Sequence, residues 1–219
     1  MRYFVLFSFH NQKRKKGGIN LKNTYYKIKR YLIRFLIFVY LKLVYRIQVI
    51  GIENIPKKGP VIFCGNHRNF LDAPLMEVTC KRDDTRFLAK EELAKNWYLA
   101  HLAKVFDVIL VKRNAKDLGP MKDGLKTLKQ NKALALFPEG TRNGLKKGIK
   151  PKTGAAYFAL NSDAQVIPVG IKGGEKPFKK ATITYGKPLE LEEYKETKKE
   201  KETAEKVTDI IMEDIIKLA

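Results

Sequence analysis

The chain has 219 residues, of which 44% are hydrophobic and 11% aromatic, which is enough for one folded domain with a sizeable core. Two cysteines exclude a disulfide scaffold, and three histidines without a His/Cys pair at zinc spacing give no reason to expect a metal site. The formal net charge of +21 favours a polyanionic partner, which means nucleic acid, anionic lipid or an acidic protein. Composition alone does not choose among these three classes.

The positive charge is concentrated near the N-terminus. Residues 1–50 contain twelve Lys or Arg and no Asp or Glu. A short apolar stretch within residues 1–9 precedes a basic cluster at 13–16, which is the reverse of the order in a secretory signal. The stretch is also too short to span a bilayer, so the role of residues 1–18 stays open.

Residues 21–46 predict one continuous helix, because no Gly or Pro interrupts them. Lys27, Arg30 and Arg34 fall within one narrow arc of this helix. The opposite side is apolar and carries Leu32, Leu36, Val39 and Leu43. Arg34 and Lys42 bracket the apolar centre, so the segment lacks the ~18 uninterrupted apolar residues of a membrane span.

An acid-free amphipathic helix of this kind is typical of a helix that lies in a membrane interface, with its cations on lipid phosphates. Packing of the helix on its own domain, with a solvated basic face, is the alternative. We therefore divide the chain into a basic, amphipathic membrane-binding segment, residues 1–46, and one domain, residues 47–219.

Strand-like and helix-like stretches alternate after residue 46. The predicted strands are 47–51, 60–65, 85–89, 107–111, 132–137, 166–171 and 181–185. One predicted helix begins at Asp72 and another runs from Lys90 toward Trp97, and two more cover 117–130 and 153–160. A C-terminal helix carries an apolar stripe, which favours its docking on the body, at Ile210, Ile211, Ile215 and Leu218. This order predicts an α/β fold with a central, mostly parallel or mixed sheet flanked by helices, preceded by the N-terminal amphipathic helix.

The first loop of chemical interest is Asn66-His67-Arg68-Asn69-Phe70-Leu71-Asp72, which follows a buried strand. Asp72 opens the next helix, and Pro74 fits its first turn. A carboxylate five residues along a tight loop can fold back onto one ring nitrogen of His67 and leave the other nitrogen to act as a base. A plain loop histidine and a helix cap are the alternative, and this stretch alone does not decide.

The second loop, Pro138-Glu139-Gly140-Thr141-Arg142, also follows a predicted strand. Together, NHRNFLD at 66–72 and FPEGTR at 137–142 resemble the glycerophospholipid acyltransferase family, whose motifs are NH-x4-D and (F/V)PEG-x-R. Two looser matches, at 111–113 and 166–170, stand in the family's order. The resemblance covers roughly residues 45 to 190.

The resemblance implies that an acyl group moves from a thioester to a free hydroxyl of a lysophospholipid. His67 would take the hydroxyl proton, and Asp72 would orient the imidazole and stabilise its cation, so no acyl-enzyme is required. Backbone N–H groups near Gly140 are candidates to stabilise the oxyanion. Cys64 is not taken as a nucleophile, because an apolar strand position hides a thiol and raises its pKa.

The acceptor's phosphate needs cationic donors. Arg142 offers a planar fork that matches two phosphate oxygens, and Gly140 lets the backbone approach closely. Glu139 would hold the glycerol hydroxyls or brace Arg142, two roles that the sequence does not separate. Lys90 and Arg113 are weaker candidates for the phosphate.

The small size and single-domain layout favour lysophosphatidate as acceptor, with glycerol 3-phosphate or another lysophospholipid as the alternative. The implied donor is acyl-CoA or an acyl carrier protein thioester, with no cofactor and no metal. We expect a monotopic enzyme on the cytoplasmic face, with membrane phospholipid and not nucleic acid as its partner. A basic nucleic-acid-binding module would explain the charge but not the two loops, and a hydrolase using His67 on water is a third reading.

Overall fold

The computed structural model describes residues 21–112 and 118–219. The predictions for residues 1–18 and for Arg113 lie outside these ranges. The described helices are α1 (Leu21–Tyr45), α2 (Asp72–Thr79), α3 (Trp97–Val105), α4 (Gly119–Lys129), α5 (Gly154–Leu160) and α6 (Lys201–Leu218). The described strands are β1 (Gln48–Ile50), β2 (Val61–Gly65), β3 (Arg86–Lys90), β4 (Ile109–Val111), β5 (Ala133–Leu136), β6 (Gln165–Gly173) and β7 (Ala181–Tyr185).

The strands form one mixed sheet in the order β1-β7-β6-β2-β5-β3-β4. The central strand, β2, is parallel to both of its neighbours, β6 and β5. β3 and β4 continue the parallel part, whereas β7 runs antiparallel to β6 and carries β1 parallel to itself at the edge. The predicted α/β fold with a mostly parallel, mixed sheet is therefore confirmed.

Both faces of the sheet are covered, as the continuous apolar runs of the strands require. Along β2 the side chains alternate: Val61 and Phe63 join the core on the side of α1 and α2, and Ile62 and Cys64 join the core on the other side. The second core includes the C-terminal helix α6 through the buried Val207, Ile211 and Ile215. The predicted docking of the C-terminal helix on the body is thus confirmed.

The topology brings the two motif loops together. Cys64 on β2 lies opposite Leu136 on β5, and these two parallel strands end at nearly the same level. The loops that follow them, residues 66–71 and 137–144, therefore leave the same edge of the sheet. In open α/β sheets this carboxyl edge is where ligands bind.

One predicted helix is placed differently. The sequence suggested a helix running from Lys90 toward Trp97, but a short 3-10 turn covers Glu91–Lys95 and α3 begins at Trp97. The reason is Asn96, whose side chain accepts the backbone N–H groups of Tyr98 and Leu99 and so caps a new helix.

Helix α1 packs with its arginines toward the protein. Arg30 Nη2 lies 2.8 Å and Arg34 Nη1 lies 3.1 Å from Oε1 of Glu77, which is buried on α2. Arg30 also donates to the carbonyl of Thr85, and Arg34 to that of Arg82. Burial raises the pKa of Glu77, and the charges of Arg30 and Arg34 act in the opposite direction.

The outward side of α1 is uncovered by the described chain. Its exposed large apolar side chains are Tyr25, Ile28, Tyr31, Leu32, Phe35, Leu36, Phe38, Val39, Tyr40 and Leu43. The apolar side therefore includes the four predicted positions. The arginine arc differs from its prediction, because Arg30 and Arg34 meet a buried carboxylate and not solvent or lipid phosphate. Within the described ranges, no helix is long and apolar enough to cross a membrane.

Candidate active site

His67 and Asp72, here called the dyad, form a hydrogen-bonded pair at the start of α2. Nδ1 of His67 lies 2.9 Å from Oδ2 of Asp72, and the Asp72 side chain is 1% exposed. The same oxygen accepts the backbone N–H groups of Arg68 at 2.6 Å and Asn69 at 2.8 Å. Three donors thus converge on one carboxylate oxygen, which fixes both the loop and the imidazole.

The other ring nitrogen of His67 has no partner in the described part of the chain. Nε2 makes no hydrogen bond within the described residues, and the His67 side chain remains 22% exposed. The ring stacks on Phe137, with centroids 4.3 Å apart and planes inclined by 18°. Gly65 makes room for this stack, because a Cβ there would lie 2.8 Å from Met76 Cε and 3.3 Å from Phe137 Cε1.

Glu139 joins the two motif loops. Its Oε1 accepts the backbone N–H of His67 at 2.7 Å, and its Oε2 accepts that of Leu145 at 3.0 Å. Glu139 is 3% exposed, so the carboxylate is enclosed. In place of bracing Arg142 or facing glycerol hydroxyls, Glu139 holds backbone on both sides of the loop junction.

Two asparagines that the sequence analysis did not single out complete the junction. The N–H of Asn143 donates to the carbonyl of His67 at 2.6 Å, and its side chain donates to that of Arg68 at 3.0 Å. Asn66 bonds both backbone groups of Ile171 on β6, at 2.7 and 3.0 Å. Asn66 stands in the first motif and offered a signal, whereas nothing in the sequence pointed to Asn143.

Arg142 is exposed at the same junction. Its side chain makes no hydrogen bond or ion pair with the described part of the chain, and the next residue, Asn143, is bonded to His67. Gly140 adopts a left-handed conformation with φ of 62°, and its N–H donates to the carbonyl of Phe137 at 2.9 Å. The N–H of Gly140 is therefore engaged, which leaves those of Thr141 and Arg142 as candidate donors to an oxyanion.

A family model described as Acyltransferase matches residues 46–172. The chain belongs to the acyltransferase family. The match includes β2, the dyad and the FPEGTR loop, so the motifs that carried the resemblance lie inside the family's region. The recognition made from these motifs is thereby confirmed.

Several relatives that are named as acyltransferases resemble this chain. A probable 1-acyl-sn-glycerol-3-phosphate acyltransferase of Mycoplasma pneumoniae is 31% identical over 145 residues, which are 63% of this chain and 53% of the relative. The 1-acyl-sn-glycerol-3-phosphate acyltransferases of Borreliella burgdorferi and Bacillus subtilis are 32% and 26% identical, covering 57% and 65% of this chain. The chain spans about half the length of the first two relatives and 73% of the third.

A solved structure supports the fold. The 1-acyl-sn-glycerophosphate (LPA) acyltransferase PlsC from Thermotoga maritima superposes with a TM-score of 0.64, covering 91% of this chain and 83% of that chain. The sequence identity is 23%, so this likeness shows the shared architecture.

The remaining predicted residues of this acyltransferase lie farther from the dyad. Lys90 ends β3, which is separated from β2 by β5, so it stands at the same edge but two strands away. Arg113 lies outside the described residues. The neighbouring Lys112 pairs with Glu91 at 3.8 Å. The structure thus brings together His67, Asp72, Glu139 and the loop of Gly140 and Arg142.

Neither cysteine belongs to the site. Cys64 and Cys80 are free and buried, and burial raises the pKa of the Cys64 thiol well above its ordinary value. This confirms that Cys64 is unsuited as a nucleophile. Within residues 21–112 and 118–219, no three His, Cys, Asp or Glu side chains group closely enough to hold a metal ion.

Proposed function

We propose that this acyltransferase transfers an acyl group from a thioester to the free hydroxyl of lysophosphatidate (1-acylglycerol 3-phosphate), forming phosphatidate in phospholipid synthesis. The observation that carries the proposal is the 2.9 Å bond between His67 and Asp72, on a loop bonded to the one that exposes Arg142. The acceptor in the names of the Mycoplasma, Borreliella and Bacillus relatives supports the choice of lysophosphatidate.

His67 acts as the general base and then as the acid. Its Nε2 takes the proton of the acceptor hydroxyl while the hydroxyl oxygen attacks the thioester carbonyl carbon. The tetrahedral intermediate collapses, the C–S bond breaks, and the imidazolium returns the proton to the departing thiolate. Asp72 holds the Nδ1–H tautomer and stabilises the imidazolium between these steps. The products are an ester and a free thiol, and no acyl-enzyme forms.

Two groups on the second loop complete the proposal. The guanidinium of Arg142 binds the phosphate of the acceptor through two parallel hydrogen bonds. It is available for this contact because it has no other partner in the described chain. The N–H groups of Thr141 and Arg142 stabilise the oxyanion. Glu139 acts as a positioning residue, because it holds the backbone of His67 and of the loop after Arg142.

The donor is acyl-CoA or an acyl carrier protein thioester, with no further cofactor. Its acyl chain and that of the acceptor call for an enzyme at a lipid surface. The uncovered apolar side of α1 supports monotopic attachment through the N-terminal segment, at the cytoplasmic face where these thioesters are present. Lys90 and Arg113 are retained as additional candidates for phosphate binding.

A thioester-consumption assay with a panel of acceptors tests the proposal. Lysophosphatidate, glycerol 3-phosphate, lysophosphatidylcholine and no acceptor are compared, and the lipid products are identified by mass. We expect release of free thiol together with phosphatidate only when lysophosphatidate is present. Equal thiol release without acceptor would identify a hydrolase, and preference for another acceptor would overturn the assignment. A mobility-shift assay at physiological salt tests the nucleic-acid alternative, for which we expect no binding.

A further inference from the structure

The loop between β6 and β7 lies between the catalytic loop and the end of α1. Its Glu175 forms an ion pair with Arg68, which directly follows His67. The N–H of Phe178 donates to the carbonyl of Val44, near the C-terminus of α1, at 2.6 Å. Residues 174–180, here called the hairpin loop, therefore touch both the candidate active site and the helix with the uncovered apolar side.

The hairpin loop presents an aromatic side chain that buries little of its surface. Phe178 is 72% exposed and has φ of 62°, a left-handed conformation that an aromatic residue rarely adopts. Such a conformation persists only where the surroundings hold it, as the bond to Val44 does here. In water, the exposed ring of Phe178 gains nothing that offsets the cost of this backbone conformation. Burial of the ring in an apolar phase would offset that cost.

The charges around Phe178 have one sign. Lys176, Lys179 and Lys180 flank it and are exposed, and the single acid of the loop, Glu175, is paired with Arg68. A bulky aromatic residue among unpaired cations matches an anionic lipid surface, with the ring at the acyl boundary and the ammonium groups on phosphates.

We propose that the hairpin loop is a second membrane contact, in which Phe178 enters the lipid and Lys176, Lys179 and Lys180 bind lipid phosphates. The inference rests on the proposed attachment of the enzyme to a membrane and adds what that attachment does. Two contacts, α1 and the hairpin loop, fix the orientation of the body. Because the loop is ion-paired to Arg68, this orientation puts the loop of His67 near the lipid surface, where a lysophospholipid reaches it without leaving the bilayer.

Tryptophan fluorescence tests the insertion directly in the full chain. Phe178→Trp is introduced in a Trp97→Phe background, with Tyr157→Trp in the same background as control, since Tyr157 is partly exposed on α5 across the sheet from α1. We expect a blue shift at position 178 on anionic vesicles, quenching there by brominated lipid, and no change at position 157. Unchanged emission at position 178 on vesicles that sediment with the protein would overturn the proposal.

Charge removal tests the phosphate contacts. Lys176→Gln, Lys179→Gln and Lys180→Gln are combined and compared with Lys58→Gln, Lys126→Gln and Lys129→Gln, which remove equal charge from exposed positions at or near the opposite edge of the sheet. At ~1 kcal/mol per lysine near an anionic surface, the hairpin variant should partition onto vesicles roughly a hundredfold more weakly at low salt. In the control variant, the loss of binding free energy should be less than about a tenth of that in the hairpin variant. Equal losses in the two variants would contradict a local contact.

A final comparison separates this proposal from that of the activity. On short-chain lysophosphatidate dispersed in water, the hairpin variants should turn over like the wild type, and on vesicle-embedded substrate they should fall with their binding. Absence of turnover by the wild type on both forms of lysophosphatidate would refute the proposed activity. An active wild type whose hairpin variants bind and turn over normally on vesicles would refute the second contact alone.

Discussion

The backbone N–H of His67 donates to Oε1 of Glu139 at 2.7 Å, so the first motif is bonded to the second through a buried carboxylate. The other oxygen of Glu139 holds the N–H of Leu145. His67, the proposed base, and the loop of the candidate phosphate-binding residue Arg142 are thus parts of one hydrogen-bonded unit. The direction of the imidazole depends on a residue that is itself nearly inaccessible to substrate.

Glu139→Ala should therefore lower both stability and turnover. It leaves two part-buried N–H groups without an acceptor, at a cost of up to about 1–3 kcal/mol each, and it releases the backbone that carries His67. Glu139→Gln keeps one acceptor oxygen and should retain more of both properties. Denaturant unfolding and kcat are measured beside Glu193→Ala, an exposed acid in a 3-10 turn. A Glu139→Ala enzyme with unchanged kcat would exclude the positioning role.

His67→Ala and Asp72→Asn should each remove most acyl transfer from a folded protein. General base catalysis contributes typically ~10²–10⁴-fold, so losses of this size are expected in kcat. His101→Ala, on α3 and outside both motif loops, is the matched control. Circular dichroism must show a folded chain, because Asp72 also holds two N–H groups at the start of α2. Substantial turnover by folded His67→Ala protein would reject the mechanism.

Arg142→Lys should raise the KM for the acceptor far more than the KM for the thioester. The positive charge survives, but the planar fork that binds two phosphate oxygens is lost. Because Arg142 has no partner within the described chain, the free energy of unfolding should change by no more than about 0.5 kcal/mol. The two KM values are measured in the same variant, which serves as its own control. An equal rise in both would move Arg142 out of the acceptor site.

Glu77→Ala should destabilise the protein by about 3–5 kcal/mol, because it leaves two part-buried guanidinium groups facing an empty position. Combining it with Arg30→Met and Arg34→Met should recover part of the loss, since no unpaired charge then remains. Glu53→Ala, at an exposed acid, should change stability by less than about 0.5 kcal/mol. The readout is urea unfolding, and a Glu77→Ala protein as stable as wild type would show that α1 is not held by this cluster.

Leu36→Asp combined with Leu43→Asp should weaken binding to vesicles and leave the folding free energy nearly unchanged. Both leucines are exposed on α1, and burial of one leucine side chain in an apolar phase contributes roughly 1.5–3 kcal/mol. Ile216→Asp on α6 is the control, because it is exposed on the other side of the sheet. Point substitutions are preferred to deletion of residues 1–46, which would also strip Arg30 and Arg34 from Glu77. Vesicle sedimentation equal to wild type would reject this membrane face.

The sequence predicted the sheet well because most of its strands are short apolar runs that end at or next to Gly, Pro or Asn. The dyad was also within reach, since five residues of loop limit where Asp72 can lie relative to His67. The role of Glu139 could not be predicted, because both groups that donate to it are backbone N–H groups, which any residue except proline supplies. Helix capping by Asn96 was overlooked for a simpler reason: the helical spacing before it looked continuous.

The orientation of α1 shows the limit most clearly. A helical wheel separates the arginine side from the apolar side, but it does not say which side meets the body. That choice depends on Glu77, which lies 47 residues from Arg30 and whose burial comes from the fold. Reading cations as outward-facing is the usual expectation for a surface helix, and here the buried carboxylate reverses it.

Under the proposed membrane attachment, this reversal predicts how the protein is released from a membrane fraction. High-salt washing removes proteins that are held by cations on headgroups, but Arg30 and Arg34 are already committed to Glu77 inside the protein. Salt should therefore screen the proposed contacts of Lys176, Lys179 and Lys180 and still leave the chain attached through the apolar side of α1. A non-ionic detergent, which coats the apolar side chains of α1 and leaves the ionic cluster beneath them intact, should bring it into solution.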